Sequence, residues 1–160
     1  MPDVFVGIGS NVDPVRALWD AVATLEQRYP ALRRSSVYRS PAVGVAAADY
    51  LNMAVAFATD LGVDALREEL AAIEAAAGRR RDDPVVCRLD LDLLLYGSRV
   101  DAVRRLPRPG LFELAFVLGP LAEVAPGLAH PLTGVRCRSA WLAAGGAAAL
   151  KNQGALAALR

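Results

Sequence analysis

Two aspartates, Asp90 and Asp92, lie within the otherwise apolar segment 89–96. Side chains of a β-strand alternate between its two faces, so both carboxylates are expected on one face and the leucines on the other. Carboxylates this close repel each other, and removing them from water is costly unless a cation or hydrogen bonds compensate. Because Mg²⁺ binds through one or two carboxylates together with water and substrate phosphates, the pair indicates a magnesium site. An exposed strand face with solvated aspartates is the alternative, which the apolar flanks disfavour.

Arginines flank this segment on both sides in the sequence. They are Arg79, Arg80, Arg81 and Arg88 before the aspartates, and Arg104, Arg105 and Arg108 after them. Guanidinium groups bind phosphates, often through two parallel hydrogen bonds. Next to a magnesium site these arginines predict a nucleotide-phosphate site, whereas on their own they would indicate only a solvated run of charge.

An aromatic ring and an amide share one face of another predicted strand, at Tyr50 and Asn52. Together they can stack on a flat heterocycle and hydrogen-bond its edge. The same residues are equally typical of an ordinary core and turn, so both interpretations stay open at this point.

The segment 7–11, Gly-Ile-Gly-Ser-Asn, begins like a dinucleotide-binding fingerprint but lacks its third glycine. A tight turn from strand to helix, with Ser10, Asn11 or Asp13 as the helix cap, is favoured over phosphate binding. The chain has a single histidine, His130, which excludes a histidine metal cluster. Its two cysteines have no nucleophile context and are predicted to be structural.

The composition indicates one domain with a full apolar core. The chain has 160 residues, of which 54% are hydrophobic, and a formal net charge of +1. The near-zero net charge and 6% aromatic content argue against a nucleic-acid-binding module and against attraction to an anionic membrane surface. The sequence shows no signal peptide and no apolar run of membrane-spanning length, and two cysteines are too few for a disulfide framework. A cytoplasmic location is therefore predicted.

The elements that must position these groups follow the order strand, helix, strand, strand, helix, strand. Apolar or alternating segments predict strands at 4–8, 35–40, 50–59 and 89–96, the third of them central. Helical spacing predicts a helix that starts at Pro14 and stops before Pro30, and another over 63–77. Further helices are expected at 112–124 and 137–144, and the Ala/Gly-rich tail 145–160 is expected to be a weak helix or a frayed terminus. This order predicts an α+β fold with helices packed on one sheet.

Taken in order along the chain, these residues resemble the 6-hydroxymethyl-7,8-dihydropterin pyrophosphokinase family. The matching motifs are Gly9-Ser10-Asn11, Tyr38-Arg39-Ser40-Pro41, Asp49-Tyr50-Leu51-Asn52, Ile73-Glu74, Gly78-Arg79, Leu89-Asp90-Leu91-Asp92, Ala115-Phe116-Val117-Leu118, Pro120-Leu121 and Glu123-Val124-Ala125-Pro126. Each motif is short, but the ordered set keeps nearly the spacing of the family over most of the chain.

The resemblance implies a ferredoxin-like α/β sandwich over 1–144, with a βαββαβ core and additional C-terminal helices, followed by the tail 145–160. It implies an enzyme of folate synthesis that transfers diphosphate from ATP to the hydroxymethyl group of a pterin. Two Mg²⁺ ions would be held by Asp90 and Asp92. Such an enzyme acts on small molecules, without nucleic acid or membrane as partners.

The same match implies roles for individual residues. It assigns pterin binding to Pro41, Val43, Tyr50, Asn52 and Phe116, and it places Glu74 and Arg79 on the nucleotide side. Of the other arginines, Arg81, Arg105 and Arg108 are also predicted to bind ATP, the last two as substitutes for family residues, and Arg79 and Arg88 are predicted to be catalytic.

This chain departs from the family pattern on the nucleotide side. Cys87 stands where the family has a phosphate-binding arginine, with Arg88 one position later, and a shift of one residue turns a strand side chain to the opposite face. Arg108 replaces a histidine, and Leu114 replaces another arginine. Two hypotheses follow: the family reaction with rearranged arginines and weakened activity, or a divergent paralogue that binds a pteridine but has lost or altered ATP-dependent transfer.

Overall fold

The computed structural model describes residues 1–159. The strands are β1 (Asp3–Ser10), β2 (Arg33–Arg34), β3 (Val37–Ser40), β4 (Tyr50–Ala58), β5 (Asp90–Tyr96) and β6 (Lys151–Gly154). The α-helices are α1 (Pro14–Arg28), α2 (Val63–Ala76), α3 (Ala115–Val124) and α4 (Cys137–Ala143). The predicted α+β class is confirmed, and the predicted helices and strands all occur with small shifts at their ends.

The strands form one antiparallel sheet in the order β5-β1-β4-β3-β6, with β2 paired to β4. The prediction of a central position for the strand that starts at Tyr50 is confirmed, because β4 lies between β1 and β3. Register places Gly9 of β1 opposite both Asn52 of β4 and Asp90 of β5. Residues that are far apart in sequence are therefore neighbours across the middle of the sheet.

The sheet separates two apolar cores. On one face, alternate residues of β1 (Val4, Val6 and Ile8) pack with leucines of α1 and α2. On the other face, Phe5 packs with residues of α3 and α4. Period-two alternation in β1 serves both cores, since successive side chains point to opposite faces.

Helix α1 begins at Pro14 as expected, but Asp13 does not cap it through its side chain. Asp13 adopts a left-handed conformation with φ of 42°, and its side chain makes no capping hydrogen bond to the helix. The side chains of Ser10 and Asn11 instead contact the segment 85–87 across the structure. Asp13 therefore occupies the N-cap position as expected, but the helix has no side-chain capping hydrogen bond.

The structure of the C-terminal tail also differs from what its composition predicts. Residues Lys151–Gly154 form β6, which pairs with β3, and Leu156 is only 2% exposed within the core of the α1 and α2 face. The alanines and glycines of this segment carry little periodicity, so its apolar anchor Leu156 and its pairing with β3 were not recognisable from composition. Within the described residues, the tail has two short 3₁₀-helices, Gly146–Ala148 and Leu156–Leu159, on either side of β6. The expected weak helix therefore occurs only as these short segments, and the strand was not expected.

Within residues 1–159, none of the helices combines the length and the apolar character needed to span a bilayer.

Candidate active site

A cavity of about 420 Å³ opens on the α3 face of the sheet. Its floor is β1, where Gly7 and Gly9 have no side chains to fill the space between β4 and β5. Alternation along β4 and β5 brings Tyr50, Asn52, Asp90 and Asp92 to this one face, as the sequence predicted. The five residues that the resemblance assigned to pterin binding all line this cavity: Pro41, Val43, Tyr50, Asn52 and Phe116.

The amide of Asn52 is held in one orientation by its neighbours. Its Nδ2 donates to Ser40 Oγ at 2.8 Å and to the carbonyl oxygen of Tyr38 at 3.4 Å. Its Oδ1 is directed toward Gly9, where an added Cβ would lie only 3.2 Å away. The buried amide thus presents an acceptor oxygen beside the floor of the cavity, suited to an N–H group of a heterocycle.

Tyr50 and Cys87 contact each other at the wall of the cavity. Burial, followed by the adjacent Cys87 thiol, raises the pKa of Tyr50 to about 12. Burial also raises the pKa of the Cys87 thiol. Both groups therefore stay protonated at neutral pH, and Tyr50 and Cys87 contribute an uncharged, partly aromatic surface to the site.

Each aspartate of the pair forms an ion pair with one arginine. Asp90 Oδ1 accepts from Arg79 at 3.0 Å, and Asp92 Oδ2 accepts from Nε of Arg108 at 2.5 Å. Burial lowers the pKa of Arg79, but the Asp90 carboxylate more than offsets this effect and the net pKa is raised. The predicted repulsion between the carboxylates is thus relieved by two guanidinium groups in the protein alone.

A second cleft of about 490 Å³ lies against the other side of the aspartates. Four arginines line it together with Glu74 and apolar residues of α2 and β5; they are Arg67, Arg81, Arg105 and Arg108. Asp92 and Arg108 line both this cleft and the first cavity. The two spaces therefore meet at Asp92 and its partner Arg108, and Asp90 faces the first cavity only.

Glu74 is a buried carboxylate in the lining of the second cleft. Its side chain is 5% exposed, and its two oxygens accept from the backbone N–H of Leu91 at 2.7 Å and from Arg81 at 2.6 Å. Burial raises the pKa of Glu74, although the hydrogen bond from Leu91 opposes the shift. Glu74 thus holds Arg81 at the cleft and fixes α2 to β5.

The structure does not bring Arg88 to this site. Its side chain packs against Gly78 and lines a separate cleft between α1 and α2, whereas Cys87 faces Tyr50. Cys87 and Arg88 point to different places, as a shift of one residue implies, although both precede β5. Leu114 packs in the apolar core under α3, away from the aspartates. Arg79 and Arg108 are the arginines that contact the carboxylate pair.

The sequence interpretation assigned no part in the site to two residues that position its groups. Ser40 orients the amide of Asn52, and Asn11 holds the segment before β5 through Val85 and Cys87, at 2.7 Å in both cases. Ser40 immediately precedes Pro41, and Asn11 follows the glycines of β1. Both lie in quoted motifs, but only the three-dimensional contacts show what their side chains do.

The donor set suits Mg²⁺. Asp90 and Asp92 are about 40% exposed and face the cavity from one strand. Within the described residues, no group of three or more His, Cys, Asp or Glu side chains could hold a metal ion. A bound ion at the pair would complete its shell with water and substrate oxygens, as Mg²⁺ does more readily than metals that need an all-protein cage.

An apolar cavity for a flat ring, a carboxylate pair and an arginine-lined cleft together define an enzyme of the phosphoryl-transfer class. Comparison with known proteins gives the family. Residues 5–126 match the model of the 7,8-dihydro-6-hydroxymethylpterin-pyrophosphokinase family. The chain belongs to this family, as its sequence motifs suggested.

Relatives from several bacteria carry the same name, 2-amino-4-hydroxy-6-hydroxymethyldihydropteridine pyrophosphokinase. The protein from Synechocystis sp. is 38% identical over 156 residues, covering 88% of this chain and 80% of the relative. The protein from Methylorubrum extorquens is 39% identical over 137 residues, covering 80% and 85% respectively. The protein from Bacillus subtilis is 37% identical over 127 residues, covering 75% and 76%.

Proposed function

We propose that this protein transfers a diphosphate group from ATP to the hydroxymethyl group of 6-hydroxymethyl-7,8-dihydropterin and releases AMP. One observation carries the proposal: the cavity suited to a flat heterocycle and the arginine-lined cleft meet at Asp92 and Arg108, beside Asp90 in the first cavity. An acceptor bound in the first space and a nucleotide bound in the second would bring their reacting groups to the carboxylates. Family membership supports the same reaction.

The pterin occupies the first cavity in this proposal. Its ring lies between the side chains of Tyr50 and Phe116, and its edge donates to Oδ1 of Asn52. Pro41 and Val43 of the loop after β3 complete the wall. Stacking and one oriented amide together give affinity and select the heterocycle.

ATP occupies the second cleft, with its phosphates directed at the aspartates. Arg81, Arg105 and Arg108 supply positive charge along the cleft, with Arg81 fixed by Glu74. Arg79, which is mostly buried beside Asp90, is the group placed to stabilise charge that develops near the reacting phosphorus. Arg88 has no part in this arrangement, because it lies in the cleft between α1 and α2.

The reaction is one in-line displacement. The hydroxymethyl oxygen of the pterin forms a bond to the β-phosphorus of ATP, the bond from that phosphorus to the α,β-bridging oxygen breaks, and the hydroxyl proton is released. Two Mg²⁺ ions held by Asp90 and Asp92 would neutralise charge on the phosphates. The protein itself aligns the two substrates and stabilises the developing charge with Arg79 and Arg108.

The proposed fold at the finer level is ferredoxin-like. Leaving out the short β2 and the C-terminal β6, the strand order β5-β1-β4-β3 corresponds to fourth, first, third and second in a βαββαβ unit, all antiparallel. The single sheet with α1 and α2 on one face supports this topology. The added α3 and α4 pack on the other face, where Phe116 and Val117 of α3 line the pterin cavity.

The test is AMP release from MgATP, measured with and without 6-hydroxymethyl-7,8-dihydropterin. Pterin-dependent AMP from the wild-type protein, lost in Asp90→Ala and Asp92→Ala, is the expected result. Asp60→Ala is the matched control, because Asp60 lies outside both cavities and pairs only with the amino terminus at 3.7 Å. No AMP from folded wild-type protein in the presence of the pterin would refute the proposal.

A further inference from the structure

The ion pair between Arg108 and Asp92 occupies a carboxylate that the proposed reaction needs for a cation. Arg108 Nε lies 2.5 Å from Asp92 Oδ2, and the guanidinium also donates through Nη1 to the carbonyl oxygen of Pro109 at 2.8 Å. The side chains of Arg108 and Asp92 are 24% and 41% exposed, so the pair is accessible from solvent. A cation that approaches Asp92 must compete with this guanidinium.

The backbone of Arg108 is held by a hydrogen bond, while its side chain borders two cavities. Its N–H donates to the carbonyl oxygen of Leu94 on β5 at 2.9 Å, which ties residue 108 to the strand that carries both aspartates. The side chain itself borders both the pterin cavity and the nucleotide cleft. A rotation about side-chain bonds is therefore enough to carry the guanidinium from Asp92 toward a phosphate in the cleft.

Each carboxylate of the site is paired with a guanidinium. Asp90 pairs with Arg79, Asp92 pairs with Arg108, and the buried Glu74 pairs with Arg81. A divalent cation alone would displace a guanidinium and leave it without a carboxylate. A cation that arrives with a polyphosphate offers the displaced guanidinium new oxygens, which bind it bidentately.

We propose that Arg108 is an exchange residue: it neutralises Asp92 in the unliganded protein and moves to the polyphosphate when the metal–nucleotide complex binds. The proposal rests on the function proposed above and adds a coupling between metal and nucleotide. Arg108 disfavours the free metal at Asp92 and favours the nucleotide. Removing its charge must therefore shift the two affinities in opposite directions. A purely structural arginine would not do this, because loss of the local structure would weaken both.

The test measures Mn²⁺ binding without nucleotide, by paramagnetic resonance of the free ion, and separately the binding of a non-hydrolysable ATP analogue with Mg²⁺ by calorimetry. Arg108→Gln is expected to bind Mn²⁺ alone about two- to fivefold more tightly than the wild-type protein, the scale of one partly exposed ion pair. The same variant is expected to bind the ATP analogue about tenfold more weakly, the scale of one charge-assisted contact.

The matched control is Arg105→Gln. Arg105 lines the nucleotide cleft but not the pterin cavity. It is expected to weaken the ATP analogue while leaving Mn²⁺ affinity unchanged. Adding Asp92→Asn to Arg108→Gln is expected to abolish the gain in Mn²⁺ affinity, which assigns the ion to Asp92. Arg108→Met is measured alongside, and thermal melting shows which of the two variants is folded.

Mn²⁺ affinity that is unchanged or weaker in both folded Arg108 variants overturns the proposal. So does a gain in Mn²⁺ affinity that persists without the Asp92 carboxylate. The function proposed above fails on a different result, the absence of pterin-dependent AMP from the wild-type protein. AMP release combined with unchanged Mn²⁺ affinity therefore refutes only the exchange role of Arg108.

Discussion

A methyl group added at Gly9 is expected to weaken pterin binding without unfolding the protein. The Cβ of Gly9→Ala would lie 3.2 Å from Oδ1 of Asn52 and 3.7 Å from Cδ1 of Tyr50. The first distance is a few tenths of an ångström too short, so the amide of Asn52 must move away from its position beside the floor. The same amide is held from the other side by Ser40 at 2.8 Å, so it has little room to adjust.

The size of the effect follows from the contact that is disturbed. Loss of one hydrogen bond between neutral groups costs about 0.5–1.5 kcal/mol, which raises the dissociation constant of the pterin about two- to twelvefold. The stability of the fold is expected to change by less than about 1 kcal/mol, because replacing glycine also lowers the entropy of the unfolded chain. The affinity for the ATP analogue is expected to stay unchanged, since Gly9 does not border the nucleotide cleft.

The assay is calorimetric titration with the pterin for Gly9→Ala, Asn52→Ala and the double variant. If Gly9 acts through Asn52, the double variant binds no more weakly than Asn52→Ala alone. Gly62→Ala is the control for a generic glycine replacement, since a Cβ there would meet no atom within 4 Å. Additive losses in the double variant, or an equal loss of ATP affinity, would refute the reasoning.

Three further predictions concern residues around the site and the core. Arg88→Ala is expected to keep kcat/KM within about twofold of wild type, because Arg88 lies in a separate cleft. Arg79→Ala is expected to lower kcat/KM about a hundredfold or more, because Arg79 contacts Asp90. Equal losses of kcat/KM in the two variants would contradict the placement of Arg88. Leu156→Ala is expected to lower the free energy of unfolding by about 2–5 kcal/mol. Leu142→Ala, at an exposed position, is the control and is expected to lower it by less than about 0.5 kcal/mol. Similar denaturant midpoints for the two variants would show that the tail is not part of the core. Because burial raises the pKa of Glu74 above its unfolded value, the folded state binds the extra proton, and stability falls as pH rises through that raised pKa. Denaturation at several pH values should therefore show wild type losing stability relative to Glu74→Gln as pH rises, and a pH-independent difference would contradict this assignment.

The strand that carries the aspartates was predictable because its signal is local. Alternation over residues 89–96 places Asp90 and Asp92 on one face whatever the rest of the chain does. The central position of β4 followed from its apolar length. These features depend on short-range geometry that neighbouring residues determine.

The features that were missed depend on contacts between distant parts of the chain. Arg108 and Asp92 are 16 residues apart and meet because residue 108 is tied to β5 by a backbone hydrogen bond. Ser40 reaches Asn52 only through the register of β3 against β4. The tail pairs with β3 although its own composition favours no structure. The spacing of residues along the sequence does not predict which of these distant residues come into contact.

The fate of the β-phosphorus tests the central claim most directly. ATP labelled with ³²P at the β position is incubated with the protein, Mg²⁺ and 6-hydroxymethyl-7,8-dihydropterin, and the products are separated. The meeting of the two cavities at Asp92, beside Asp90, predicts that the label moves to the pterin product, that the nucleotide product is unlabelled AMP, and that Asp92→Asn abolishes the transfer. Label retained in ADP, or in unreacted ATP with folded wild-type protein, would contradict it.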